Sequence, residues 1–249
     1  LSEGSYNFRV RSICHDTDGN EMYSAFTAYH GDYIVYCPDL HCVPYFDLDA
    51  AGVRCTYGEL EDGSWNEDSP YQNVGKIDYG IASEWSRHTT CWDKTLTDPN
   101  TGGALSIVPE NAIASVRLGN PRFGGETEAI TYTMEVTEDM TILLLQYAVV
   151  LQDPAHDSKS QPRFTLEIKD EVGADIDYTC GYVSFVADST REGWHTYNDP
   201  KLFGTVTWKD WTTIGLNLDA YDGERLEVRL TTRDCNWSGH FGYAYFTMG

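Results

Sequence analysis

Two polar stretches of this chain carry the side chains best suited to chemistry at a surface. REGWHTYNDP holds Trp194, His195 and Tyr197, and CNWSGH holds Trp237 and His240. Aromatic planes stack on the C–H faces of sugar rings, and neighbouring polar groups take the hydroxyls, so these five residues are candidates for ligand contact. The competing reading is that Trp194 and Trp237 cap a β-sandwich. Trp208 and Trp211 lie in a strand-like stretch and read as packing.

Oxygen donors recur at close spacing in three places. Asp16, Asp18 and Asn20 form DxDxN, the spacing of a short calcium loop, although no glutamate stands at the twelfth position as an EF-hand requires. Asp98 and Asn100 in TDPNTGG form a second candidate, and Asp47 or Asp49 with Asp234 a third. A structural calcium is the expected cofactor. Plain turn chemistry explains DTDGN and DPNTGG equally well.

Catalytic signals are weaker. His88 follows Arg87, and His156 stands between Asp153 and Asp157, with Ser86 and Ser160 nearby, but no GxSxG or HExxH frame surrounds them. The expectation is a non-enzyme. A carbohydrate-active enzyme or its binding module is the alternative, because a carboxylate pair cannot be measured from sequence.

The elements that must position these residues are strands. Leu226, Val228 and Leu230 alternate with Glu227 and Arg229, the period of a half-buried strand. Eight such stretches follow residue 113: ASVRLGN, AITYTMEV, TILLLQYAVVL, RFTLEIKD, CGYVSFVAD, WTTIGLNL, RLEVRLTT and GHFGYAYFTM. Eight strands suit the two antiparallel sheets of a jelly roll. TILLLQYAVVL is apolar on both faces, which predicts a central strand covered on both sides. Residues 59–112, rich in Gly, Asp, Asn, Ser and Pro, read as long ordered loops.

The ordered series DYG…SRHT (Asp78 to Thr89), TDPNTGGAL (Thr97 to Leu105), ASVRLGN, YAVVLQDPAHDSKSQPRF (Tyr147 to Phe164), WKDWTTIGLNL and DCNWSGHFGYAYF resembles a module of large secreted and cell-surface, adhesin-like proteins of Bacteroidetes. The resemblance implies an extracellular jelly-roll module within a longer chain. At the N-terminus, LSEGSYNFRVRSIC followed by YSAFTAY resembles the last two strands of a fibronectin type III module. The expected organisation is therefore an all-β chain, with a partial fibronectin III-like hairpin at 1–36 and an antiparallel jelly-roll β-sandwich with long loops at 37–249. An N-terminal extension of the main sandwich is the rival reading of 1–36.

Charge narrows the partners. With 39 acidic residues against 17 basic the formal net charge is -22, a field that repels nucleic acid and anionic membrane surfaces. No apolar run is long enough for membrane insertion. Seven cysteines without paired metal-type spacing predict disulfides in an oxidising, extracellular setting, with Cys180–Cys235 and Cys42–Cys55 the expected pairs. The expected function is non-catalytic adhesion or binding at a cell surface, with a glycan or an extracellular protein as partner. A structural unit of a surface filament is a further alternative.

Overall fold

The computed structural model describes residues 5–6, 13–15, 21–23, 33–34, 48, 52–60, 66, 68–80, 83–138, 140, 142–176 and 181–249. Four short N-terminal strands form two separate antiparallel pairs: β1 (Ser5–Tyr6) with β4 (Tyr33–Ile34), and β2 (Ile13–His15) with β3 (Glu21–Tyr23). The division expected at residue 36, and Asp16, Asp18, Asn20, Asp47 and Asp49, lie outside the described residues.

The main body begins with β5 (Val53–Glu59), β6 (Asn73–Val74), β7 (Ile77–Tyr79), β8 (His88–Cys91), β9 (Ser115–Leu118) and β10 (Glu126–Glu135). It continues with β11 (Ile142–Asp153), β12 (Arg163–Lys169), β13 (Tyr182–Val186), β14 (His195–Tyr197), β15 (Thr205–Asn217), β16 (Arg225–Arg233) and β17 (Gly242–Met248). One sheet has the order β13-β12-β16-β10-β5-β6, the other β14-β15-β11-β17-β9-β8-β7. All pairs within them are antiparallel except β7 with β8. From β9 onward the chain crosses repeatedly between the sheets, and the fold is an all-β jelly-roll sandwich.

All eight strands read from the sequence form. The alternation that identifies them is their burial: Phe164, Leu166 and Ile168 of β12 and Leu226, Val228 and Leu230 of β16 point into the space between the sheets. β8 was not legible. Its four residues, HTTC, are all buried although mostly polar, because β7 and β9 flank it in the sheet. The stretch read as continuous loop therefore contains β6, β7 and β8, and the stretch around His195 contains β14.

β11 explains the third layer of the molecule. Leu143, Leu145, Tyr147, Val149 and Leu151 enter the inter-sheet core, while Ala148 and Val150 face the outer side of the seven-stranded sheet. β17 divides likewise, with Ala244, Phe246 and Met248 inward and Tyr243 and Tyr245 outward. Leu105, Ile107 and Val108, from the connection between β8 and β9, cover the outward set. A β-bulge between Tyr147 and Val149 shifts the register against β15, which sends Val206 and Trp208 to the outer core and Ile214 and Leu216 to the inner one.

Asp98 fastens that cover. Its Oδ2 accepts hydrogen bonds from the hydroxyls of Tyr243 and Tyr245, both at 2.8 Å, and its Oδ1 accepts the Asn100 N–H at 2.8 Å. The chain turns back at Gly102 (φ 68°), where a β-carbon would also meet the Tyr197 ring at 2.9 Å. Burial pushes the Asp98 carboxyl upward, and the tyrosine hydroxyls pull it back down. Removing the carboxylate leaves two buried phenols without their acceptor, at about 1–3 kcal/mol for each unpaired group. Asp98→Ala is expected to lower the unfolding free energy by about 2–5 kcal/mol in urea denaturation. A change below about 0.5 kcal/mol would show that the cover is held without it.

Candidate functional site

Strand direction gathers the chemistry at one end of the sandwich. Asp153 pairs with Thr205, Leu151 with Gly242, His88 and Ala244 both with Leu118, Thr127 with Arg233 and Glu126 with Glu59. The connections at these positions, at 83–87, 119–125, 154–162, 198–204 and 234–241, therefore emerge together.

An open groove at this end has a volume of about 370 Å³. Tyr57, Trp85 and Arg87 line it together with Lys76, Asp78, Ser83 and Ser86. Arg117, projecting from β9, fixes the Trp85 loop by donating through Nη2 to the Ser83 carbonyl at 2.6 Å and the Ser86 carbonyl at 2.9 Å. Within the loop, Ser83 and Ser86 share a hydroxyl hydrogen bond of 2.8 Å, and the Trp85 N–H donates to Ser83 Oγ. Trp85 is 63% exposed, with the Arg122 guanidinium 3.5 Å from its ring centroid. Asp78 pairs with Lys76 at 2.9 Å, and hydrogen bonds from Lys76 and Ser86 hold its carboxyl below the usual range.

Arg87 joins this groove to a buried acidic cluster. Its Nη1 donates to Glu128 Oε1 at 2.8 Å and its Nη2 to Glu126 Oε1 at 2.9 Å, and the guanidinium lies 4.5 Å from the centre of the Tyr57 ring. Asn120 and Thr232 donate to the second oxygens of Glu126 and Glu128. Asp234 accepts the Glu126 N–H and the Gly242 N–H, one on each oxygen and both at 3.0 Å, tying β10 to β17 across the sandwich. Burial, then the neighbouring Glu128 charge, push the Asp234 carboxyl well above its ordinary range.

A second patch lies around the 154–162 and 234–241 connections. Trp237 is 74% exposed and Phe203 81%. The His156 ring lies 5.6 Å from Trp237 and 5.2 Å from His240, with Phe203 6.1 Å from His240. Cys235 is buried with its Sγ 3.2 Å from His240 Nδ1.

The structure separates the predicted contact residues. Trp237 and His240 come together, with Trp237 exposed and His240 buried. Trp194 packs half-buried against Phe185 at 5.2 Å, His195 stacks on Trp208 at 4.2 Å, and Tyr197 faces Gly102. Trp208 and Trp211 pack as expected, the latter donating through Nε1 to the Ser106 carbonyl. Of the proposed calcium donors, Asp98 and Asn100 bind tyrosine hydroxyls and backbone, and Asp234 binds backbone N–H groups. Cys235 is a free thiol, which corrects the expected Cys180–Cys235 disulfide: its sulfur is directed at His240 within its own turn. Cys180 lies outside the described residues, as does Cys42, while Cys55 is buried in the inter-sheet core. His88 donates through Nε2 to the Ala129 carbonyl at 3.1 Å from a buried position, joining the two sheets. Tyr57, Trp85 and Arg87, which line the groove, are not among the contact residues expected from the sequence, although Trp85 stands in a polar stretch as Trp194 and Trp237 do.

No family model matches the chain, and no curated protein matches it. Among solved structures it is similar to TmCBM61 in complex with β-1,4-galactotriose (8% identity, TM-score 0.35, covering 68% of this chain and 85% of that one). It is also similar to the enzymatically active domain of tailspike protein 4 of bacteriophage CBA120 (10% identity, TM-score 0.34, 80% of this chain and 19% of that one). A third is the K1 cleaved adhesin domain of Lys-gingipain from Porphyromonas gingivalis (11% identity, TM-score 0.28, 57% and 75%).

The buried acids make stability pH-dependent. Burial raises Glu128 from 4.5 to about 7, against the opposing pull of Arg87. A carboxyl with a raised folded-state value stabilises most below the unfolded value, and that contribution is lost as pH rises from 4.5 through 7. His88, lowered by burial from 6.5 to about 4, acts oppositely: its contribution is complete above 6.5 and lost as pH falls toward 4. The two partly cancel between these limits. Glu128→Gln removes only the first, so its unfolding free energy relative to the parent should rise by about 3 kcal/mol between pH 4.5 and pH 7.5. Urea unfolding at several pH values reads this directly, and a flat difference would mean that folding does not raise the Glu128 carboxyl.

Proposed function

We propose that this chain is a glycan-binding module of an extracellular protein, acting without catalysis through the groove of Tyr57, Trp85 and Arg87. The observation that carries the reading is Trp85: a largely exposed indole backed by Arg122 on a loop that Arg117 holds rigid, beside directional donors and acceptors. A preorganised aromatic plane costs little entropy on binding. Lys76, Asp78, Ser83 and Ser86 supply groups that hydroxyls require.

The non-catalytic part of the reading is supported by the carboxylates. Glycoside hydrolysis uses two, facing one cleft. Among the described residues lining the groove there is one, Asp78, and it is paired with Lys76. Glu59, Glu126 and Glu128 are all engaged by Arg87, the last two from buried positions. The acidic surface charge favours neutral or cationic ligands over sulfated and other polyanionic ones.

The test is a glycan array followed by calorimetry with the strongest soluble oligosaccharide. Trp85→Ala should weaken binding about tenfold or more, near 1.4 kcal/mol, with unchanged circular dichroism. Trp237→Ala should stay within about twofold of the parent. Absence of any glycan ligand, or full affinity in Trp85→Ala, would overturn the assignment.

A further inference from the structure

We propose that His156, Cys235 and His240 form a binding site for a zinc-type divalent cation. Two connections at the same end of the sandwich build it. Their donor atoms all lie within 4.8 Å of one another, and Cys235 Sγ stands 3.2 Å from His240 Nδ1. In a tetrahedral zinc centre, neighbouring nitrogen and sulfur ligands are separated by roughly 3.3–3.6 Å, so small side-chain rotations close the set around an ion.

The surroundings point the same way. His156 Nδ1 is shut off from solvent and makes no hydrogen bond among the described residues, although its ring touches those of Trp237 and His240. A buried imidazole nitrogen without a partner is costly, and a metal would satisfy it. The Gly239 N–H points at Cys235 Sγ at 3.4 Å, the kind of donor that supports a metal-bound thiolate. The turn itself is closed by the Cys235 N–H to the His240 carbonyl at 3.0 Å and the Ser238 N–H to the Cys235 carbonyl at 3.0 Å, which brings residues five apart onto one point. Asp153 holds the other connection by accepting the Ala155 N–H at 2.8 Å and the Ser189 N–H at 2.7 Å.

Backbone conformation marks the same two connections. Among the described residues, the non-glycine positions with positive φ are Ala155 (58°) and Ser238 (57°). Each costs on the order of 1–2 kcal/mol, and such residues concentrate where a structure serves a ligand. Each lies next to or between the proposed ligands.

The chemistry of the donors selects the ion. One thiolate and two imidazoles suit zinc and its borderline-soft neighbours, whereas calcium and magnesium need oxygen. Cys235 is 0% exposed, so it is poorly placed as a nucleophile toward solvent-borne substrates, and the thiol proton leaves to solvent when the ion enters. Three protein ligands leave a fourth position for water or an external donor, beside the exposed Trp237 and Phe203. This site shares no residue with the glycan groove and does not depend on it.

Cobalt is the probe. The full chain, reduced and stripped with a chelator, should take up one equivalent of Co²⁺ with tetrahedral ligand-field bands and a thiolate-to-cobalt charge-transfer band, and Zn²⁺ should displace it. Cys235→Ser should lose the charge-transfer band. His156→Ala, a change at a half-buried loop position that spares the core, should bind at least about tenfold more weakly. The proposal fails if the parent shows no stoichiometric binding, or if both variants keep its spectrum and affinity.

Discussion

Apolar side chains on both faces of β11 and β17 set the terms for the rest of the molecule. A strand in a two-layer sandwich normally buries one face and wets the other. Here Ala148, Val150, Tyr243 and Tyr245 present a second buried face, which needs a cover. The connection between β8 and β9 supplies it, and Asp98 holds that cover by binding two of the tyrosines it hides. A long segment that reads as loop is thereby committed to packing.

The opposite use of polar residues appears at the end where the candidate sites lie. Glu126, Glu128 and Asp234 are buried carboxylates in a strongly acidic protein, a combination that is tolerable only because each oxygen finds a donor. Arg87 is the hub of this arrangement, bridging Glu126 and Glu128 on one side and lining the groove beside Tyr57 on the other. Groove and core thus share one ion network, and the position of Trp85 depends on a second arginine, Arg117, reaching its loop from β9. Few of these residues are close in sequence. Backbone register brings them together.

The two aromatic patches differ in what stands behind them. Behind Trp85 are guanidinium groups and hydroxyls, a setting suited to neutral polar ligands. Beside Trp237 are two imidazoles and a thiol, donors with affinity for a soft cation. Similar loops at the same end of one sandwich therefore support separate chemistries, as expected when function resides in connections held by a rigid scaffold.

Period-two alternation made β12 and β16 legible, and the double apolar face of β11 foretold a strand covered on both sides, since burial against water acts locally on each residue. β8 escaped because His88-Thr-Thr-Cys91 has no such alternation; its burial comes from neighbours in the sheet. Trp194 and Trp237 look alike in sequence, each a tryptophan in a polar loop. Tertiary packing placed the first against Phe185 and left the second in solvent. The meeting of His156 with Cys235 and His240 likewise has no sequence signature, because two of the donors lie five residues apart and the third some eighty residues earlier. The sequence alone determined the eight strands from β9 onward, β14 excepted, and which of their faces must be buried. Only the tertiary structure decided which loop residues meet, because strand register, not sequence spacing, sets the distances between connections.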